Sequence, residues 1–227
     1  MDENNAPENN GYNFWHNRCL NGQIGWHNLE VNPHLKSSIN FFDQSGSIFI
    51  PLCGASVDIE FLLKSNFKVF GLDISEKPIQ MLEAQLSSYV KNTSLNLQTA
   101  DIFKYHPSET ELCDYWYDRA ATIALPQNLR EEYYLSVHKF FKKQCKAIIV
   151  LLDYSKGLKI NSEKIGPPFS VQSEKFLEGL SKNPSIQYKV SESVTIHSET
   201  DHKKLNENGV FKYKETILKL IINRRDI

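Results

Sequence analysis

The chain has 227 residues, a formal net charge of −1, 41% hydrophobic and 23% charged residues. That is ordinary globular composition, enough for one well-filled α/β domain and cramped for two. A near-neutral chain without a basic stripe argues against a nucleic-acid partner, and no apolar run approaches the roughly 18 residues of a membrane-spanning helix.

Residues 1–11 are polar and Asn-rich, the composition of a disordered tail, with neither the basic nor the apolar region of a signal peptide. Residues 12–45 read as an N-terminal lid. Tyr12, Phe14, Trp15, Trp26 and His27 surround Asn21-Gly22, and Asn32-Pro33 opens a helix with Leu35, Ile39 and Phe42 on its apolar face. From residue 46 strands and helices alternate, which predicts a doubly wound, mostly parallel α/β sheet in a single domain. The strands are Ser47–Pro51, Lys68–Leu72, Leu95–Thr99, Cys113–Tyr117 and Ala147–Leu152. Ser56 opens a helix with Val57, Phe61 and Leu62 toward the sheet, and Ser75 caps a longer one carrying Ile79, Leu82 and Leu86. Pro126 opens an amphipathic helix through Phe141, with Lys139, Lys142, Lys143 and Lys146 as its solvated, dipole-complementing end. Ser155–Phe169 is a long connection of the kind that is either disordered or an active-site cover, and Val171–Leu180 is helical. Ile186–Ile196 and Val210–Ile222 alternate polar and apolar residues as hairpin strands do.

Cys19, Cys53, Cys113 and Cys145 are widely spaced and include no C-x-x-C pair. The pattern fits reduced thiols in a cytoplasmic protein rather than disulfides or a zinc site, and no metal is expected. A reactive Cys53 is weighed against a small buried filler, and the filler is favoured.

The stretch with the most chemistry in it is Ile48-Phe49-Ile50-Pro51-Leu52-Cys53-Gly54-Ala55-Ser56-Val57-Asp58, followed by Val69-Phe70-Gly71-Leu72-Asp73. A strand, a tight turn, a helix and a second strand ending on a carboxylate about 20 residues later is how a nucleotide-bearing cofactor is held. The turn lets backbone approach the ligand, and the acid accepts hydrogen bonds from ribose hydroxyls. With Gly54 alone, the turn lacks the glycine fingerprint that cradles a pyrophosphate. That favours adenosine without phosphates, namely S-adenosylmethionine, over a nicotinamide dinucleotide. Asp73, Asp101, Asp118 and Asp153 all end strands, so they share the carboxyl edge where ligands bind in such sheets. Asp73 is read as the ribose acceptor rather than a solvated strand end. Asp101 is an adenine acceptor or a turn former, with Ile102 packing on the ring. Asp118-Arg119 follows Tyr115-Trp116-Tyr117, and charges in such apolar company either pair or line a site. Trp15 and Trp26 are core filler or a water-excluding cover, and a lone His27 is more often structural than a base.

In this order the motifs resemble the thiopurine S-methyltransferase family. They are Trp15 through Trp26-His27, Pro51-Leu52-Cys53-Gly54-Ala55, Gly71-Leu72-Asp73-Ile74-Ser75-Glu76, Asp101-Ile102-Phe103, Asp118-Arg119-Ala120-Ala121 and Gly166-Pro167-Pro168-Phe169. The resemblance implies the class I methyltransferase fold, Rossmann-like, with a seven-stranded sheet. It implies Trp15, Leu52, Gly54, Asp73, Asp101, Ile102 and Arg119 around S-adenosylmethionine, and S-adenosylhomocysteine as product. It also implies Trp26, Arg119, Pro168 and Phe169 against the substrate. The reaction it implies is methyl transfer to the sulfur, or selenium or tellurium, of a small thiol such as a thiopurine. Arg119 would stabilise the anion while Asp118 holds Arg119 or accepts a proton. A monomer acting on small molecules is expected. The chain departs from the family pattern at Cys19, where the family has a second Trp, at Asp73, often Glu, and over the polar stretch Ser198–Asn208. Rival readings are a nicotinamide-dependent oxidoreductase and a non-catalytic S-adenosylmethionine-binding protein.

Overall fold

A computed structural model of the chain describes residues 30–43, 45–156, 167–199, 210 and 212–225. The polar tail, the lid residues Trp15, Trp26 and His27, Cys19, Gly166 and most of the polar stretch 198–208 lie outside the described residues.

Seven strands form one sheet: β1 Ser47–Pro51, β2 Lys68–Asp73, β3 Leu95–Thr99, β4 Cys113–Asp118, β5 Phe141–Asp153, β6 Ile186–Glu199 and β7 Lys212–Arg224. Their order is β3-β2-β1-β4-β5-β7-β6. The first five run parallel, and β7 lies antiparallel between β5 and β6. Among the described residues the helices are α1 Pro33–Ser38, α2 Asp58–Lys64, α3 Glu76–Gln85, α4 Ser87–Lys91, α5 Ala121–Ala124, α6 Gln127–Val137 and α7 Ser173–Ser181. None of the described helices is long and apolar enough to cross a membrane.

Parallel strands covered on both faces need apolar side chains at successive positions, and β1 meets this with Ile48, Phe49 and Ile50 all buried. Alternation divides them between two cores. Phe49 joins Phe70, Trp116, Phe140 and Phe176 on one face, and Ile48 and Ile50 join Val69, Tyr115, Tyr117 and Ile59 on the other. Phe49 and Phe140 stack with ring centroids 3.9 Å apart. The chain winds outward from β1 to β3, then crosses to β4 and winds the other way. The reversal opens a crevice between the carboxyl ends of β1 and β4, where open α/β sheets bind ligands.

Two sequence expectations need correction. The helix after Ser56 begins at Asp58 with Val57 as its N-cap, and its buried stripe is Asp58, Ile59, Leu62 and Leu63 rather than Val57, Phe61 and Leu62. Apolar Val57 and Phe61 beside the stripe blur its phase in the sequence. The helix from Pro126 ends at Val137, a 3₁₀ turn covers His138–Phe140, and Phe141 already starts β5. Lys142 and Lys146 therefore sit on a strand, where they pair with Asp114 and Asp43 at 2.9 and 2.8 Å. The buried Phe140 and Phe141 pull the chain into the sheet before the lysines can end a helix.

Candidate active site

The site begins with the turn that closes β1. Leu52 and Gly54 both adopt left-handed backbone, φ 48° and 52°. Glycine does so freely, whereas leucine is strained there by about 1–2 kcal/mol, which the surroundings offset. The Cys53 N–H donates to the Leu72 carbonyl at 3.1 Å, so the turn stays laced to β2. Gly71 makes that approach feasible, since a Cβ there would meet Leu97 Cδ2 at 2.7 Å and Cys53 Sγ at 3.1 Å. Cys53 is buried, and burial together with the Asp73 charge pushes its thiol pKa well up. It stays protonated and fills space, as the filler reading holds.

Asp73 ends β2 and clamps the turn. Its Oδ2 accepts the Gly54 N–H and its Oδ1 accepts the Ser75 N–H, both at 2.8 Å. Desolvation raises the Asp73 pKa above the ordinary carboxylate value, while the Ser75, Gly54 and Ile74 N–H groups favour the charged form. Two carboxylate oxygens offer about four lone-pair directions, so acceptor capacity remains for a ligand diol. Beside it, Ser75 stands just before α3 with a buried hydroxyl that caps nothing and, among the described residues, has no hydrogen-bond partner. An acceptor-rich carboxylate next to an orphaned hydroxyl on a left-handed turn fits a ribose.

Asp101 is placed next to Asp73 because the Ala100 N–H donates to the Asp73 carbonyl at 2.9 Å. Its Oδ1 accepts the Phe103 N–H at 3.0 Å, and Lys104 lies 3.4 Å from Oδ2. It forms the turn that the alternative reading expected and keeps lone pairs for an amino group. Ile102 is buried in the core with Leu72, so only an edge of its side chain is open to a ring.

Across the crevice, the expected pairing of Asp118 with Arg119 is not what the structure shows. Asp118 is 1% exposed. It accepts the Thr122 N–H at 3.1 Å, the Thr122 hydroxyl at 2.7 Å and the Tyr133 hydroxyl at 2.7 Å. Burial raises the Asp118 pKa while those donors hold it down, and burial with the Asp118 charge keeps Tyr133 protonated. Asp118 thus locks the start of α5 and the middle of α6 under β4. Arg119 points instead to Asp58, with Nη1 3.6 Å from Oδ2. Asp58 also accepts the Asn32 N–H at 2.8 Å and the Tyr117 hydroxyl at 3.0 Å. This ion pair spans the switch point, joining the end of β4 to the helix that follows the β1 turn.

Pro168 and Phe169 close on the same end. The Phe169 N–H donates to the Ile123 carbonyl at 2.6 Å, four residues beyond Arg119, and the Pro168 carbonyl accepts the Tyr154 hydroxyl at 2.8 Å. The Arg130 guanidinium lies 6.0 Å from the Phe169 ring centre and donates to the Leu125 carbonyl. Asp153, the fourth strand-end acid, accepts the Ser155 N–H and the Ser170 hydroxyl and pairs with Lys214, so it fastens loops. Leu52, Gly54, Asp73, Asp101 and Ile102 thus gather at the ends of β1–β3, with Arg119, Pro168 and Phe169 on the β4–β5 side. A cleft of about 390 Å³ between His106, His138 and Arg224 shares none of these residues.

Sequence reasoning missed Asp58 and Tyr117. The signal was present: Asp58 stands four residues before Leu62, on the stripe that faces the sheet, and a carboxylate there needs a cation.

The described fold is that of S-adenosylmethionine-dependent methyltransferases. Its solved likenesses include the 1,6-didemethyltoxoflavin-N1-methyltransferase of Burkholderia thailandensis, whose structure contains 1,6-didemethyltoxoflavin and S-adenosylhomocysteine. That match has a TM-score of 0.66 at 11% identity, covering 95% of this chain and 87% of that one. Among curated proteins, the thiopurine S-methyltransferase of Legionella pneumophila (strain Corby) is 33% identical over 208 residues, 86% of this chain and 91% of its own length. That of Pseudomonas entomophila (strain L48) is 31% identical over 181 residues, 74% and 82% of the two chains. The family model for thiopurine S-methyltransferase matches residues 11–223, and with the sheet order and strand-end acids already in place, the chain belongs to that family.

Proposed function

We propose that the protein transfers a methyl group from S-adenosylmethionine to the sulfur of a small aromatic or heterocyclic thiol, with selenium and tellurium anions as related acceptors. The observation that carries this is the pairing of a ribose-type acceptor, Asp73 on its clamped turn, with a partly exposed guanidinium across the same crevice. Asp73, Ser75 and the Leu52–Gly54 turn would hold the cofactor's ribose, and Asp101 and Ile102 its adenine. Bound S-adenosylmethionine supplies an electrophilic methyl carbon and a neutral thioether leaving group.

The chain's own task is then to orient a nucleophile and keep water out. Arg119 stabilises the substrate as an anion, so a thiol of low pKa needs no protein base. Asp118 supports Arg119 only through the backbone that it fixes, because its own oxygens are occupied by Thr122 and Tyr133. Pro168 and Phe169 form the substrate wall on the β5 side, and the family resemblance assigns Trp15 to the cofactor and Trp26 to the substrate.

The test is kcat/KM for aryl thiols of graded pKa, beside thiopurines, selenite and tellurite. The proposal expects the pH profile to follow the ionisation of each thiol. A profile that follows one protein group regardless of thiol would show a protein base and refute this mechanism. Calorimetry with S-adenosylhomocysteine and with NAD separates the oxidoreductase reading, since only the former should bind.

A further inference from the structure

Asp58 has no part in the family motifs quoted above, yet it is a carboxylate with 0% exposure. Burying such a charge is costly unless it is paired and hydrogen-bonded. Three groups from three parts of the fold meet it. The Asn32 N–H, at the start of α1, binds Oδ1, while Oδ2 takes the Tyr117 hydroxyl of β4 and faces Arg119 Nη1, just past β4. Burial and the Asp58 charge push the Tyr117 pKa well up, so its hydroxyl remains a donor. Among the described residues Arg119 is the only cation within ion-pair distance of Asp58, and Asp58 is the only carboxylate within that distance of Arg119.

The arrangement is asymmetric. Asp58 is anchored in the core by a helix, a backbone N–H and a tyrosine, whereas the Arg119 side chain is 19% exposed and rests on this one charged contact. At 3.6 Å this is an ion pair rather than a hydrogen bond, but a guanidinium carries its five N–H donors in one rigid plane, so drawing one Nη toward Asp58 biases the direction of the rest. We infer that Asp58 is a positioning residue: it fixes the Arg119 plane from below so that the remaining donors meet the substrate anion in one orientation. The inference rests on the reading of Arg119 as the group that stabilises that anion. Free of the tether, the arginine keeps its charge and loses its aim.

A double-mutant cycle on kcat/KM for an aryl thiol tests this, with thermal midpoints followed in parallel. Asp58→Asn should lower kcat/KM at least 10-fold when Arg119 is intact, and less than 2-fold when Arg119 is already alanine. Equal losses in both backgrounds would make Asp58 a stability residue and overturn the inference. If Arg119→Ala alone retains near wild-type kcat/KM, the reading of Arg119 fails, and Asp58 has nothing to position. The single variant thus separates that failure from a failure of the tether. Should Asp58→Asn not fold, the wild-type protein still decides. Nitrogen-15 spectra should show slow rotation of the Arg119 guanidinium, and rapid averaging of its Nη signals would overturn the proposal. Asp58→Glu, which keeps the charge, should recover part of the activity.

Discussion

Asp73→Asn removes the charge of the proposed ribose acceptor while keeping its shape. In the structure each Asp73 oxygen accepts one backbone N–H at 2.8 Å, from Gly54 and from Ser75. The asparagine carbonyl can keep one of these bonds, and its amide group turns an N–H toward the other. One clamp bond is lost, at about 1 kcal/mol of stability, roughly what a net hydrogen bond contributes. Cofactor binding should suffer more, because a ribose hydroxyl then meets an amide in place of a carboxylate. A hydrogen bond to a charged group is worth about 1.5–3 kcal/mol, which corresponds to roughly 10- to 100-fold in affinity. Asp73→Ala abolishes both clamp bonds and should fall at the upper end of that range, with the left-handed turn at Leu52 loosened as well. Titration calorimetry with S-adenosylhomocysteine reads the dissociation constants, and thermal unfolding reads stability. An unchanged dissociation constant in either variant, with the fold intact, would refute the ribose assignment.

Arg119→Ala should depress kcat/KM for an aryl thiol by about 10²-fold, or about 2.7 kcal/mol, and Arg119→Lys should recover only part, since it keeps the charge without the planar fork. A near wild-type rate in Arg119→Ala would remove the arginine from the chemistry. Tyr133→Phe should cost about 1–3 kcal/mol of stability by leaving a buried Asp118 oxygen short of a donor, with kcat/KM for the thiol changing little. A selective loss of activity would return Asp118 to the reaction. Acid stability carries a definite sign. Desolvation opposes it, but the Ser155 and Ser170 donors and Lys214 hold the folded Asp153 carboxyl below its ordinary value. Its contribution is therefore complete above the unfolded value near pH 4 and is lost as pH falls through the folded one. Asp114, which burial raises but Ser47 and Lys142 lower further, has the same sign, whereas Asp73 and Asp118, raised by burial, have the opposite one. Asp153→Asn should flatten the decline in thermal midpoint between about pH 5 and pH 3, and an unaltered slope would contradict this.

β1 was legible because a parallel strand buried on both faces demands an unbroken apolar run, and Ser47–Pro51 coincides with it. Leu95–Thr99 coincides with β3, an edge strand in which buried Leu95 and Leu97 alternate with Asn96 and Gln98. The acids that end β2, β4 and β5, and Asp101 just past β3, were legible as well, since acids at strand ends mark the ligand edge of the sheet. What escaped was which acid pairs with which cation. Asp118 and Arg119 are neighbours in sequence, and on a strand end neighbours point to opposite faces. One therefore turns into the α6 side and finds Tyr133, while the other turns to the α2 side and finds Asp58. Asp58 itself was hidden by the phase of a short helix. The boundary after Val137 was hidden because a lysine-rich stretch suits a helix end and the exposed start of a strand equally well.

The most direct measurement is transfer of an isotopically labelled methyl group from S-adenosylmethionine to an aryl thiol or thiopurine, with the product identified by mass spectrometry. The account predicts a thioether carrying one labelled methyl on sulfur, formed in step with S-adenosylhomocysteine, and nearly abolished by Arg119→Ala. Tight S-adenosylhomocysteine binding without methylation of any thiol, selenium or tellurium acceptor would contradict it and leave a cofactor-binding protein with another role.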